Sequence, residues 1–303
     1  MDSDALATFV AVHETGGFSA AADRLGRTQP AISRRIALLE AELGAPLFER
    51  TSGGVSLSLA GEVLLPYAER ALAAVKDAEA AVRGLKAADA GPVSLAVVGT
   101  LAGGRLTQVL KAFAAAHPGV EIALTTATSS EVSDLVRRGE AAIGLRYRTD
   151  RSGDLKAIPL AAEQMVVVCA PEHPLAGGQV ATLAGLVGET WLAFADAQGP
   201  GEPASQSILA QFAVRGLGDI AWRAVDSLTA QKRLAEAGFG MVLLAQSAVA
   251  EELARGSLAM ITVGDLEAFN PVSAVVRREG YLNAAALSLL DLLQSQQGWS
   301  PSA

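Results

Sequence analysis

A short stretch near the N-terminus carries side chains that are suited to contacting DNA. Residues 24–39 contain four arginines and no acidic residue, within a chain whose net charge is −8. Guanidinium groups bind phosphate and the major-groove edge of guanine, and a glutamine amide pairs with adenine. The side chains expected at a duplex are Thr28, Gln29, Pro30, Ser33, Arg34, Arg35 and Arg50.

These side chains differ in their predicted roles. Gln29 is suited to adenine, and Arg34 to guanine or phosphate. Arg35 points about 100° away from Arg34 around a helix, so we assign it to phosphate only. Arg50 is placed for a backbone phosphate or the minor groove. Thr28 is equally suited to capping a helix and to contacting phosphate.

The flanking sequence predicts the helices that position this set. Small Ala22 allows two helices to approach, Gly26 supplies a left-handed turn between them, and Ile32 packs the second helix on the first. Ser19 and Thr28 are the expected N-caps. The second helix is expected to bury Ala31, Ile32, Ile36, Leu39 and Leu43. A hairpin around Gly53-Gly54 follows, and a hairpin beside a helix-turn-helix is a wing. The alternative is that Gln29 and Ser33 only cap the helix, with solvated arginines.

A second group of candidates follows predicted strands in the C-terminal two thirds. Ligands of open α/β sheets bind outside the carboxyl ends of strands and at helix N-termini. Arg146 predicts an anionic ligand, although an ion pair with a nearby acid is the alternative. For Ser129 the alternative role is capping a helix, and for Phe194 and Phe239 the alternative is a place in the hydrophobic core. The candidate effector-binding residues are Thr100, Leu101, Ser129, Ser130, Arg146, Phe194 and Phe239.

The periodicity predicts an α+β multidomain chain. Residues 1–58 form a winged helix-turn-helix, residues 59–90 a linker helix, and residues 91–303 an α/β domain of two lobes. Lobe I comprises residues 91–161 and 267–303, and lobe II residues 162–266. Alternating strands and helices after Gly91-Pro92 indicate βαβ units with a parallel sheet.

Residues 59–88 carry a seven-residue apolar repeat, which is typical of a coiled-coil seam. The helix would extend about 45 Å, so pairing with a second copy is expected; a lone helix docked on its own chain is the alternative. Pro66 is expected to kink it. The repeat consists of Leu64, Ala68, Ala71, Val75, Ala78, Val82 and Leu85.

The composition limits the remaining classes of protein. No apolar run is long enough to span a bilayer, and Asp2 and Asp4 stand where an export signal has positive charge, so a cytoplasmic protein without membrane contact is expected. The single cysteine, Cys169, lies in an apolar strand-like run; it is either a buried strand residue or a sensing thiol. The three histidines lack metal-ligand spacing, and nucleophile-elbow and phosphate-loop motifs are absent. We expect no enzyme, no metal and no cofactor.

The segment FVAVHETGGFSAAADRLGRTQPAISRRIALLEAELGAPLFERTSGGVSLSLAG resembles the LysR-type transcriptional regulator family. The ordered words GGFSAAA, L-G-x-TQPAIS, I-x-x-LE-x-x-LG and PLF-x-R stand at the family's spacing over about 60 residues, and the resemblance continues more weakly through PEHPLA and VDSLTAQKRLAEAGFGMVLL.

The resemblance implies a regulator that binds and bends promoter DNA, a dimerising linker helix, a tetramer, and a periplasmic-binding-protein-like domain for a small effector. Thr100, Ser129 and Arg146 match positions that often hold the effector. Ala142 and Ala245 depart from an acid and a proline that are common in the family, so the effector's identity stays open. The rival classes are an exported solute-binding protein and a ligand-free architectural DNA-binding protein.

Overall fold

The computed structural model describes residues 1–51, 54–84, 91–194, 207–218 and 220–295. The helices are α1 Ser3–Thr15, α2 Phe18–Leu25, α3 Gln29–Leu43, α4 Leu59–Gly84, α5 Gly104–Ala116, α6 Ser129–Arg137, α7 Ile208–Ala213, α8 Leu228–Glu236, α9 Gln246–Arg255 and α10 Ala284–Ser295. The strands are β1 Phe48–Thr51, β2 Gly54–Leu57, β3 Val93–Val98, β4 Ile122–Ala127, β5 Ile143–Tyr147, β6 Leu155–Cys169, β7 Gln179–Val180, β8 Thr190–Ala193, β9 Ala221–Ala224, β10 Val242–Ala245, β11 Ala259–Val263 and β12 Phe269–Arg277.

Helices α1–α3 and the β1–β2 hairpin form one small domain around its own core. Phe9, Ile32, Ile36 and Leu39 are almost completely buried there. Gly26 has φ +62° and forms the turn between α2 and α3, as predicted. The N-cap of α2 is Gly17 rather than Ser19, because α2 already begins at Phe18.

Two details of α3 differ from the sequence-based expectation. Thr28 is its N-cap residue, but its side chain makes no capping hydrogen bond. Ala31 and Leu43 were expected to face the core, yet both are exposed. Ala31 is displaced by about 100° from the buried stripe at positions 32, 36 and 39, whereas Leu43 lies in line with that stripe but is the last residue of the helix.

Helix α4 leaves this domain and continues through Pro66. Its first turn is tightly packed, since a methyl group at Gly61 would collide with the backbone oxygen of Leu47. Leu64 and Ala68 pack into the core of the N-terminal domain. Farther along, Ala71, Val75, Ala78 and Val82 are exposed. The part of the predicted linker helix beyond Gly84, including Leu85, lies outside the described residues.

The C-terminal domain contains a sheet of order β4-β3-β5-β12-β6-β11-β7, with β10 also paired to β6, and a separate parallel pair formed by β8 and β9. Strands β4, β3 and β5 are parallel, as the βαβ pattern predicts. Strands β6 and β12, however, pair antiparallel over most of their length. The sequence indicates only the end of β6, the apolar strand-like run that contains Cys169, because residues 155–164 lack a continuous apolar run. This long strand connects the two lobes: it pairs with β12 first and then with β10 and β11.

Each lobe has apolar clusters of its own. Phe113 and Leu289 belong to the cluster of lobe I, and Trp191 and Phe212 to that of lobe II. Cys169 is 1% exposed in lobe II, and burial together with the Glu189 carboxylate raises the pKa of its thiol to about 11. Within the described residues, no helix combines the length and apolar character required to cross a bilayer.

Candidate nucleic-acid interface and inter-lobe site

The amino-terminal half of α3 protrudes from the N-terminal domain. Thr28, Gln29, Pro30 and Arg34 are exposed, and Ser33 is half-buried. The Gln29 side-chain amide donates a hydrogen bond to Ser33 Oγ at 2.8 Å, so these two side chains support each other at the start of the helix. A solvent-facing helix of this size fits the major groove of B-form DNA.

The arginines of this region differ in their partners. Arg35 Nη1 lies 2.5 Å from Asp4 Oδ2, and Arg27 pairs with the same carboxylate at 2.8 Å. Arg24 Nη1 lies 2.6 Å from Glu14 Oε2. Arg34, in contrast, forms no ion pair with any residue that the structure describes. Helix α1 therefore neutralises three of the four guanidinium groups.

The wing is formed by β1 and β2, with Phe48 paired to Leu57 and Thr51 to Gly54. Arg50 lies in β1 opposite Val55, as expected from the hairpin signal. Its side chain and residues 52–53 lie outside the described part of the structure. Sequence reasoning missed Ala31, which is exposed between Pro30 and Ser33 on the same protruding turn.

The second candidate site lies where the parallel strands of lobe I end. Val98 of β3 is level with Ala127 of β4, and Val97 with Leu145 of β5. Consequently Thr100 and Ser129, which follow β3 and β4, and Tyr147, the last residue of β5, lie at one edge of the sheet. Leu101 is 3% exposed and belongs to the lobe I core, so its side chain points away from solvent.

The helix that begins at this edge is capped by Thr128, not by Ser129 or Ser130. Thr128 and Glu131 form a reciprocal capping box. These hydrogen bonds from the Thr128 backbone and side chain lower the pKa of the Glu131 carboxyl. Ser130 Oγ lies 3.2 Å from Thr128 Oγ1, and Ser130 is exposed. Ser129 is half-buried and is not the N-cap residue of α6, so the capping role considered as its alternative does not apply.

Arg146 forms the ion pair that was the alternative to ligand binding. Its guanidinium is buried on the α6 side of the sheet, where Nη1 donates to Ser133 Oγ at 2.6 Å and to Asp150 Oδ2 at 2.8 Å. Burial alone would raise the pKa of Asp150, but hydrogen bonds from Ser133 and Ser152 and the charge of Arg137 lower it to about 2. Arg146 therefore no longer supports the prediction that the effector is anionic.

A chain of hydroxyl groups, which the sequence did not predict, connects the two lobes. Thr100 Oγ1 donates to Tyr147 Oη at 3.1 Å, and Tyr147 Oη donates to Glu163 Oε2 at 2.8 Å. Ser247 Oγ, at the start of α9 in lobe II, donates to Glu163 Oε1. Glu163 lies on β6 and is 4% exposed. Burial and the neighbouring carboxylate raise the pKa of Tyr147 well above its usual value, so its hydroxyl remains a donor.

The two candidate phenylalanines lie at opposite ends of the lobe II strands. Phe194 follows the carboxyl end of β8 and is 38% exposed, so it is not a core residue. Phe239 is also exposed, but it precedes Met241, which bridges to Trp191 in β8, and it precedes β10. It therefore lies at the amino ends of these strands. The carboxyl-end rule that selected Phe239 does not apply to this position.

A protruding helix with an available arginine, beside a two-lobed α/β domain, defines a DNA-binding regulator with a ligand-binding domain. Two family models match the chain: the bacterial regulatory helix-turn-helix protein of the lysR family over residues 3–62, and the LysR substrate binding domain over residues 86–298. The chain belongs to the LysR family of transcription regulators.

Similar proteins agree with this assignment. The HTH-type transcriptional regulator CbbR of Rhodospirillum rubrum is 31% identical over 290 residues, which cover 95% of this chain and 94% of that one. Full-length CbnR complexed with its target DNA has a TM-score of 0.63 at 26% identity, covering 97% of this chain and 99% of that one. A Corynebacterium glutamicum OxyR mutant has a TM-score of 0.60 at 28% identity, covering 97% and 90%.

Proposed function

We propose that the chain recognises promoter DNA through the protruding half of α3 and that a small effector binding between its two lobes controls this recognition. The observation that carries the proposal is the contrast between exposed Arg34 and its paired neighbours. An arginine already neutralised by an acid must break that pair to reach DNA, whereas Arg34 is available for a bidentate contact with guanine. This half of the proposal assigns Gln29, Pro30 and Ser33 to the same groove.

Smaller contributions complete this interface. Ala31 is placed to contact a thymine methyl group. Thr28 and Arg50 remain assigned to phosphate, and Arg50 also to the minor groove. Arg35 remains assigned to phosphate, although it must first give up Asp4. The CbnR structure with its target DNA supports the assignment of this surface by similarity of fold.

Substitution of Arg34 tests the DNA half of the proposal. A fragment is first selected by the wild-type protein from a random-sequence pool, and retardation is then measured at fixed salt. Each bidentate contact contributes about 1–3 kcal/mol, so in a dimer that uses two of them Arg34→Ala should weaken specific binding by at least roughly 30-fold. Arg255→Ala, an exposed arginine in lobe II, is the matched control. Equal binding by the Arg34 variant and the control would reject this role.

The exposed positions of α4 support assembly. Ala71, Val75, Ala78 and Val82 recur at steps of four and three and are uncovered in a single chain. We infer that a second copy covers them, and that two such dimers form a tetramer that bends its promoter. The division at residues 58, 90, 161 and 266 remains our proposed set of domain boundaries, and β6 crosses the lobe boundary without interruption.

The effector half of the proposal places the ligand beside Thr100, Ser129, Tyr147 and Phe194. These residues lie at carboxyl ends of strands on the two sides of β6. A thermal-shift screen that pairs small carboxylic acids with matched amines tests this site and the charge of its ligand. Binding must be lost in Thr100→Val and retained in Thr107→Val, which alters an exposed threonine of α5. We expect regulation by binding alone, without catalysis, in the cytoplasm.

A further inference from the structure

Helix α4 has a second face, opposite the apolar seam, which contacts lobe I of the same chain. Ala73 and Val75 are two residues apart, hence about 200° apart around the helix axis. Val75 is exposed, whereas Ala73 is only 2% exposed because lobe I covers it. Pairing of two copies through the seam therefore leaves the Ala73 face available to lobe I.

The contact fits closely around one glycine of lobe I. Gly139 follows α6 with φ +65°, and a Cβ atom built on it would lie 3.3 Å from Ala73 Cβ. The left-handed turn lets the backbone reach the helix where most residues would be strained. On the α4 side of the contact the residue is Ala73, and alanine has the smallest side chain of any residue other than glycine. Two small residues thus meet at the centre of the contact.

Polar groups surround this centre. One turn after Ala73, Asp77 pairs with Arg277 of β12, and its other oxygen accepts a hydrogen bond from the Tyr281 backbone N–H at 3.2 Å. Arg277 also donates to the Val136 carbonyl at 2.9 Å. Lys76 Nζ donates to the Arg138 carbonyl at 3.4 Å. Both ends of the lobe I surface are thus attached to adjacent positions of α4.

A second attachment reaches the DNA-binding domain directly. Arg138 Nε donates to Glu140 Oε1 at 2.8 Å and lies 3.7 Å from Glu14 Oε1 at the end of α1, a longer electrostatic contact. Glu14 is also the partner of Arg24. Lobe I is therefore attached both to the linker helix and to the helix-turn-helix domain. A second attachment point restricts the rotation of lobe I about the first, because two separated points allow rotation only about the line that joins them.

We propose that this contact, formed by the Ala73 face of α4, Gly139 and Arg277, is a releasable clasp that sets the angle between the DNA-binding domain and lobe I. It is releasable because its apolar centre is one alanine, while its ion pairs are partly exposed: the side chains of Asp77 and Arg277 are 20% and 14% exposed, and those of Glu14 and Arg138 are 20% and 26% exposed. Ion pairs in contact with solvent contribute little individually and are screened by salt. The inference does not depend on which DNA or effector is bound.

Disulfide trapping in the full-length protein tests the clasp. Ala73 Cβ and a Cβ built on Gly139 would lie 3.3 Å apart, slightly closer than the roughly 3.5–4.5 Å of a disulfide, so a small relaxation suffices. The same Cβ would come within 2.9 Å of Arg277 Nη1, so the flexible end of that side chain must shift. We expect Ala73→Cys with Gly139→Cys to form a bond within one chain, which runs as a monomer on a non-reducing gel and joins the two peptides in a digest. Ala74→Cys with Gly139→Cys is the control, because Ala74 is exposed and points about 100° away.

The rate of trapping measures the closed population. Raising NaCl from 50 mM to 1 M, or adding Asp77→Asn, should each slow bond formation roughly threefold to tenfold, beyond any effect on a free thiol. A bond between two chains, or trapping no faster than in the Ala74 control, would overturn docking within one chain. If neither salt nor Asp77→Asn changes the rate of bond formation, the proposal that the clasp opens reversibly would be overturned. If Gly139→Cys fails to fold, a short bis-maleimide joining Ala73→Cys to Glu140→Cys, an exposed position next to Gly139, replaces the disulfide, with the same readings.

Discussion

Removing the hydroxyl group of Tyr147 should destabilise the two-lobed domain. In Tyr147→Phe, Glu163 Oε2 loses its donor at 2.8 Å, and Thr100 loses its acceptor. Glu163 is 4% exposed, so water cannot readily replace the missing group. A hydrogen bond to a charged group contributes about 1.5–3 kcal/mol, and we expect a loss of this size in the free energy of unfolding.

Urea unfolding of the full chain, followed by circular dichroism, measures this loss. Tyr67→Phe is the matched control, because Tyr67 is 61% exposed on α4, and its ring, which Arg70 overlies at 4.5 Å, is retained. The control should stay within about 0.5 kcal/mol of the wild type. Thermal midpoints should follow, with a decrease of roughly 3–10 °C for Tyr147→Phe.

A double-mutant cycle then tests whether the effect passes through Glu163. Tyr147 and Ser247 donate to different oxygens of the same carboxylate, one from each lobe. The losses in Tyr147→Phe and Ser247→Ala should therefore be non-additive by at least about 0.5 kcal/mol. A stability loss below 0.5 kcal/mol for Tyr147→Phe, or strict additivity, would refute the view that this hydroxyl chain joins the lobes.

Three further predictions concern assembly, reactivity and pH. Val75→Glu should lower the mass of the assembly in light scattering, since a charge enters the apolar seam and separates the copies that pair through it; an unchanged mass would contradict pairing through α4. Cys169 should not react with a thiol reagent at pH 8 until urea is added, because burial raises the pKa of its thiol to about 11; rapid labelling of the native protein would contradict this. The pKa of Asp150 is lowered to about 2, so its contribution, on the order of 2 kcal/mol, is complete above pH 4 and is lost as the pH falls towards 2. Asp150→Asn should reduce this acid-induced loss, and equal pH profiles would contradict the assignment.

The local sequence pattern was sufficient to predict the helices and the hairpin of the DNA-binding domain. Gly26, the stripe Ile32–Ile36–Leu39 and the paired glycines of the wing act over a few residues, so the sequence alone predicts their elements. The family resemblance rests on the same compact segment. The pattern could not show which arginine is available, because the partners Asp4 and Glu14 belong to another helix, and only packing brings α1 beside α2 and α3.

The limit of prediction from sequence is clearer in the effector domain, because its candidate site is assembled from distant parts of the chain. The sequence located the carboxyl ends of β3, β4, β5 and β8, although it placed Phe239 at the wrong end of its strand and missed the first part of β6. It could not show that Arg146 turns to Asp150, or that Tyr147, Glu163 and Ser247 converge across 100 residues. The same holds for the contact of Ala73 with Gly139. Short-range periodicity determines helices and strands, whereas the direction and partner of a polar side chain depend on which elements the tertiary fold brings together.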